Sequence, residues 1–294
     1  MEELNFAILA IGDPGESGTR SLNSVLSLKP NKICMMVDQY GEAWLKNSTK
    51  TYYRKKICLH YIDKKVSKQL GIGLSTSHFH KYGEKHFMLL TALKWQIISE
   101  SIKETENSHF VVFTDLDVLW FKKPNTSKLD KSRVWLQNDS KPNSKNMHYC
   151  TGIMFWPRSD KSIKYCKKLY KFQNKVNFSK NYIHDEQAFN KFIKSPGNKL
   201  RVEPLEVDSY LIGHRARKLL VKETETLKKA TAFHANYFKG ASMKNLVIKS
   251  IESKINSGIF WIYGLVRIYM GMFVTKIKFL NSHTLRNSRI IGKF

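Results

Sequence analysis

The sequence predicts an α/β fold with a mainly parallel sheet flanked by helices. Two observations carry that expectation. Short segments that are apolar at almost every position recur along residues 1–240, and segments of helical period separate them. A strand buried on both faces has no polar side to show, so it reads as a continuous apolar run. Helices between such runs supply the crossovers that parallel strands need.

The elements follow in order. Phe6–Ile11 is a short apolar run closed by Gly12, and its acidic Met1-Glu-Glu start reads as the lead into a buried strand rather than a secretory signal. Thr19–Leu28 has helical spacing. Lys32–Val37 is a second strand, ended by Asp38, and Ile57–Ile62 a third. Glu84–Ser101 is a long apolar helix that carries Lys94. Phe110–Thr114 is a strand leading into two aspartates. Val134–Gln137 and Gly152–Trp156 are further strands, and Lys161–Lys175 and Asp185–Lys194 are amphipathic helices. Leu200–Glu203 and Thr231–His234 complete the set. In open α/β sheets ligands collect outside the carboxyl ends of strands, so the residues just past each run are the candidates.

The chain has 294 residues, with 50 Lys and Arg against 24 Asp and Glu, a net charge of +26. That excess biases partners toward polyanions. Its 42% hydrophobic content is enough for a large core and excludes wholesale disorder. The four cysteines are scattered without a CxxC pair, which reads as reduced thiols in a cytoplasmic protein. Residues 241–294 form a distinct basic tail, in which nine Lys and Arg face Glu252 alone. Within it, 259–275 is almost wholly apolar, with Gly264, Arg267, Gly271 and Thr275 on one helical stripe. Arg267 at its middle and its short length argue against a membrane span. An amphipathic helix lying on an anionic membrane surface is the expectation, with packing on the domain or on a second subunit as the alternative. The domain division expected is 1–240 and 241–294.

The strongest chemical signal is Phe110-Val-Val-Phe-Thr-Asp115-Leu-Asp117-Val-Leu-Trp120-Phe-Lys-Lys-Pro124. Carboxylates at i and i+2 of a strand share a face, so both can turn on one hard cation such as Mg²⁺ or Mn²⁺. An Asp-x-Asp at a strand end also serves haloacid dehalogenase-like phosphatases, so that alternative stays open on this motif alone.

Three further motifs follow it. They are His148-Tyr-Cys-Thr151-Gly152-Ile-Met-Phe-Trp-Pro157, His184-Asp185-Glu186-Gln187-Ala-Phe-Asn190 and Phe233-His234-Ala-Asn236-Tyr-Phe-Lys239-Gly240. In this order the four resemble the nucleotide-diphospho-sugar transferases of the GT-A (Rossmann-like) fold. The resemblance implies a metal-dependent glycosyltransferase acting on a UDP- or GDP-sugar and a glycan, glycolipid or envelope polysaccharide hydroxyl. It implies Mn²⁺ or Mg²⁺ on Asp115, Asp117 and His234. It places donor contacts at Lys94, Asp115, Gly152 and Lys239. Sheet topology alone adds Ala10, Ile11 and Gly12 at the end of the first strand and Asp38 after the second as base and ribose contacts. Asp185 and Glu186 become the acidic groups of the reaction centre, and the DxD completed by a histidine points to a retaining enzyme. Thr151, where asparagine is more frequent, and the absence of a full His-x-x-Gly-x-x-Lys element leave the sugar open. A peripheral place on the inner membrane face is expected. A nucleic-acid binder is the other-class alternative, disfavoured because the lysines are dispersed and no recognised motif accompanies them.

Overall fold

The computed structural model describes residues 3–50, 54–62, 85–106, 108–140, 147–179, 181–238 and 240–268. Seven strands form the main sheet: β1 (Asn5–Ala10), β2 (Lys32–Val37), β3 (Ile57–Tyr61), β4 (Phe110–Thr114), β6 (Val134–Asn138), β7 (Tyr149–Pro157) and β8 (Val202–Pro204). Their spatial order is β3-β2-β1-β4-β7-β6-β8. The pairs β3/β2, β2/β1, β1/β4 and β6/β8 are parallel, and β7 alone runs antiparallel to its neighbours β4 and β6. The expected mainly parallel α/β architecture is thus the one observed.

The continuous apolar runs are explained by the way alternate residues divide between the two faces. Ala7, Cys34, Met36, Val111 and Phe113 face one core. Phe6, Ile8, Ile33, Met35 and Val112 face the other. Helices α3 (Lys85–Leu90), α4 (Leu93–Glu104), α5 (Asp160–Phe178) and α6 (Asp185–Ile193) lie on the first face, while α1 (Gly15–Ser27) and α2 (Gln39–Ser48) lie on the second. Periodicity merges α3 and α4 into one helix. The break at Thr91–Ala92 has a cause, because the Thr91 hydroxyl donates to the Met88 carbonyl and accepts from the Asp185 amide and Gln173.

A smaller sheet, missed by the sequence reading except for its middle strand, joins β5 (Val118–Trp120), β10 (Ala232–His234) and β9 (Tyr210–Ile212) in the order β5-β10-β9. Its strands have three residues each, too few for a period to register. Helices α7 (Ala216–Val221), α8 (Thr224–Lys229) and α9 (Ala241–Ile255) pack on it around Leu219, Leu227, Phe233, Val247 and Ile251. Helix α9 is also clasped to α1. Glu16 of α1 takes Lys249 at 2.6 Å and Asn245 at 2.7 Å, and Arg20 of α1 reaches Glu252 at 2.6 Å.

Residues 260–268 continue as a helix that turns Gly264 onto α9. A Cβ at Gly264 would lie 1.7 Å from the Ser250 Oγ, so only glycine permits this approach. Ile259, Phe260, Ile262, Tyr263 and Val266 are left exposed. Among the described residues no helix is long and apolar enough to cross a membrane. Residues 269–275 of the apolar run, and the Lys and Arg residues beyond them, lie outside the described residues.

Candidate active site

Strand β1 pairs with β2 on one side and β4 on the other, so the crossovers diverge between β1 and β4. A crevice opens there beyond the carboxyl ends of the strands. Leu9, Ile11, Pro14, Phe87, Lys94, Asp115, Asp117, Asp185 and Lys244 line it.

The two aspartates reach it by a route that differs from strand alternation. β4 stops at Thr114, and Asp115–Asp117 is a turn closed by the Val118 amide on the Asp115 carbonyl at 3.3 Å. The chain then enters β5, so the turn hands over from the large sheet to the small one. On β10, His234 is the cross-strand partner of Val118, and the Ala235 amide bonds the Asp117 carbonyl at 2.9 Å. This pairing delivers the histidine to the aspartates across a long stretch of sequence. Its Nε2 lies 3.1 Å from Asp117 Oδ1 and 3.9 Å from Asp115 Oδ2.

Gln137 fixes how the imidazole presents itself. Its Nε2 donates to the Tyr210 and Leu211 carbonyls at 3.2 and 2.8 Å, which turns its Oε1 toward His234 Nδ1 at 3.0 Å. Nδ1–H therefore donates to Gln137, and Nε2 is the nitrogen turned toward the two carboxylates, the position from which it would ligate a cation. Two oxygens and an aimed imidazole nitrogen, with ligand atoms within 4.8 Å of one another, fit a divalent cation of the Mn²⁺ or Mg²⁺ kind. Gln137 was not singled out from the sequence, although a fully buried glutamine in a strand is a signal.

Gly152 makes this arrangement possible. A Cβ there would fall 2.0 Å from His234 Cε1, inside the ring's own volume. The neighbour that Gly152 admits in this structure is the imidazole.

Lys94 forms the second half of the site. It is buried, and its Nζ meets Asp115 Oδ1 at 3.2 Å, the Thr151 carbonyl at 3.1 Å and the Asp185 carboxylate in a short contact. Burial by itself disfavours the ammonium, but Asp115 and Asp185 outweigh it and hold its pKa above the ordinary value. Asp185 also accepts the Thr151 hydroxyl. It is the first residue of α6 and not its cap, since His184 occupies the cap position. Burial works to raise the Asp185 pKa, yet Lys94 and His184 bring it below the usual carboxylate range. Asp117 is likewise held low against burial, by Lys244 and His234. Asp115 goes the other way: burial raises it, Lys94 opposes that, and the charges of Asp117 and Asp185 raise it further.

Lys244 is a second residue the sequence reading missed. From α9 its Nζ bonds Asp117 Oδ2 at 2.5 Å. A lone lysine in a helix carries no signal in a sequence; only the docking of α9 brings it here.

Other predicted residues are placed as follows. Ala10, Ile11 and Gly12 end β1 at the crevice, and Gly12 has the positive φ of 75° that a tight turn there requires. Asp38 caps α2 through the Gly41 amide at 2.7 Å and accepts the Gly12 amide at 3.0 Å, stapling the ends of β1 and β2. Glu186 points away from the aspartates to His148 Nε2 at 2.9 Å. Lys239 lies outside the described residues.

A sequence profile described as nucleotide-diphospho-sugar transferase matches residues 46–247. No curated protein matches the chain by sequence. Among solved structures, the galactosyltransferase LgtC in complex with donor and acceptor sugar analogues is similar, at a TM-score of 0.54 and 10% identity. The match covers 84% of this chain and 96% of LgtC. The bifunctional glycosyltransferase WbbM is similar at a TM-score of 0.51 and 13% identity, over 87% of this chain and 51% of WbbM. At such identities the likeness is one of fold, the GT-A fold.

Proposed function

The chain belongs to the nucleotide-diphospho-sugar transferase family, and from that footing we propose a metal-dependent glycosyltransferase that moves a hexosyl or related sugar from a UDP- or GDP-sugar to an acceptor hydroxyl. The acceptor class is a glycan, glycolipid or envelope polysaccharide. This reading displaces the phosphatase alternative for the Asp-x-Asp pair.

The observation that carries it is the convergence of Asp115, Asp117 and His234 Nε2 beside a crevice at the sheet's switch point. These three residues would hold Mn²⁺ or Mg²⁺, which would supply positive charge at the departing diphosphate. Lys244 is the second cation within reach of that charge, with Lys239 as the partner expected from the motif. The residues at the end of β1 and Asp38 form the floor for base and ribose. Gly152 and Thr151 border the sugar, and Lys94 holds Asp115 and Asp185 in place and favours their ionised forms against burial.

Asp185, committed to Lys94 and Thr151, orients the sugar. Glu186 with His148, the latter 44% exposed at its side chain, offers a hydrogen-bonding pair to the acceptor hydroxyl. The pairing of the Asp-x-Asp with a C-terminal histidine supports retention. The catalytic unit is residues 1–240, completed by Lys244 from the basic tail.

The helical residues 260–268 support docking on an anionic membrane. While Trp261, Leu265 and Ile268 face the domain, Phe260, Ile262, Tyr263 and Val266, with the preceding Ile259 83% exposed, point outward beside the exposed Arg267. Peripheral attachment to the inner face follows from this reading, and nucleic acid is no partner in it. Co-sedimentation with vesicles tests it. Binding to anionic vesicles and not to neutral ones is expected, with I262D/Y263D lowering it about tenfold or more; equal binding by that variant overturns it.

The enzymatic reading is tested by thermal shift with UDP-, GDP- and CMP-sugars, with and without Mn²⁺. Stabilisation by a UDP- or GDP-sugar that needs the metal is expected, as is metal-dependent donor hydrolysis lost in D117A. Stabilisation by none of them refutes the reading.

A further inference from the structure

A second set of metal-binding side chains lies away from the crevice, at the far end of α4. Cys34 of β2 and Cys58 of β3 are register partners on adjacent parallel strands. His60 follows Cys58 at i+2, so all three point to one face of the sheet. Glu104, the last residue of α4, meets them from the helix that covers that face. Lys94 stands near the start of the same helix, about 15 Å of helix rise away.

Three separations among them are those of one ion's coordination shell, with Cys58 joining the Cys34–His60–Glu104 group through His60. Cys34 Sγ lies 3.7 Å from Glu104 Oε2, Cys58 Sγ 3.8 Å from His60 Nε2, and His60 Nε2 3.1 Å from Glu104 Oε1. Tetrahedral zinc, with bonds of about 2.3 Å to sulfur and about 2.0–2.1 Å to nitrogen and oxygen, sets its ligand atoms about 3.3–3.8 Å apart. Ligand atoms of Cys34, His60 and Glu104 all fall within 4.8 Å of one another.

Charge fits as well. Lys32, at the start of β2, bonds Glu104 at 2.7 Å. When a dication binds, the two thiols give two protons to solvent, the imidazole enters neutral and Glu104 stays a carboxylate. Two thiolates and one carboxylate are then offset by the dication and the Lys32 ammonium. The cluster is neutral with or without metal, so its burial needs no outside counter-ion. Manganese and magnesium prefer oxygen ligands, whereas thiolates select a softer ion.

We propose that Cys34, Cys58, His60 and Glu104 form a closed, structural site for Zn²⁺ that ties β2, β3 and the end of α4 together. It has no open position for substrate and is separate from the Asp115–Asp117–His234 centre.

Cobalt(II) titration of the reduced, EDTA-treated full chain is the test. A thiolate-to-cobalt charge-transfer band in the near ultraviolet is expected, saturating near about one equivalent and displaced by Zn²⁺. It should be lost or strongly weakened in C34S and C58S and unchanged in D117A and C150S, the latter because Cys150 neighbours His234. Zn²⁺ should raise the Tm of the wild type by several degrees and leave that of C58S where it is. If the cysteine variants do not fold, E104Q and H60A should still shift the band. A folded wild type that gives no band refutes the proposal, as does a band that survives C34S and C58S and vanishes in C150S.

Discussion

Substituting Gly152 by alanine tests whether the site is built around the His234 ring. The added Cβ would sit 2.0 Å from Cε1, 2.5 Å from Nδ1 and 2.7 Å from Nε2, where ordinary contact begins at 3.4 Å. The ring must give way by about 1.5 Å. Its hydrogen bonds leave no slack for that, because Nδ1 is 3.0 Å from Gln137 and Nε2 3.1 Å from Asp117. A shift of that size takes both beyond hydrogen-bonding range. Losing a neutral and a charge-assisted hydrogen bond and overpacking the strand together cost about 3–5 kcal/mol. For 294 residues that corresponds to a Tm lowered by roughly 5–8 °C. Thermal unfolding of G152A, with and without Mn²⁺, measures this, and the stabilisation by Mn²⁺ should vanish with it. The double variant G152A/H234A decides the cause. Once the ring is gone the Cβ has room, so alanine should cost less than about 1 kcal/mol in the H234A background. An equal cost in both backgrounds, or a G152A protein with wild-type response to Mn²⁺, refutes the reasoning.

Two further outcomes follow from the charges around α1 and α9. K244M removes an ammonium that shares Asp117 with the cation site. It should raise the KM for donor about tenfold or more through the lost charge-assisted contact, while the affinity for Mn²⁺ stays level or improves; an isothermal titration showing weaker Mn²⁺ binding contradicts the assignment. Glu16, hydrogen-bonded by Lys249, Arg20 and Asn245, has its pKa pulled from 4.5 down to about 2. A carboxylate with a depressed folded pKa stabilises the protein above its unfolded pKa and loses that contribution as pH falls through the folded one. Because Glu16 is half exposed at its side chain, the contribution should be no more than about 1 kcal/mol. Urea midpoints of wild type and E16Q should differ at pH 7 and converge between pH 4.5 and about 2; a gap that is constant over that window rules the clasp out.

The sheet strands were legible because burial on both faces leaves no polar position in them. Lys32–Val37 and Phe110–Thr114 match the observed strands residue for residue, and the Asp-x-Asp announced itself by following such a run. β5 and β9 were not legible, since three residues between turns carry no period. The reading also paired the aspartates by strand alternation, whereas a turn between two sheets does that work.

By itself, then, the sequence determined the α/β class, the family and the residue types able to hold a cation, since composition and short-range spacing are local properties of the chain. Tertiary structure alone decided which groups meet. The β5–β10 pairing brings His234 to Asp117, a buried glutamine chooses the imidazole nitrogen that faces it, and the docking of α9 delivers Lys244. The stacking of β2 and β3 under α4 likewise gathers Cys34, Cys58, His60 and Glu104. Apart from Cys58 and His60, these contacts join residues far apart along the chain, and their proximity depends on packing that no local pattern records.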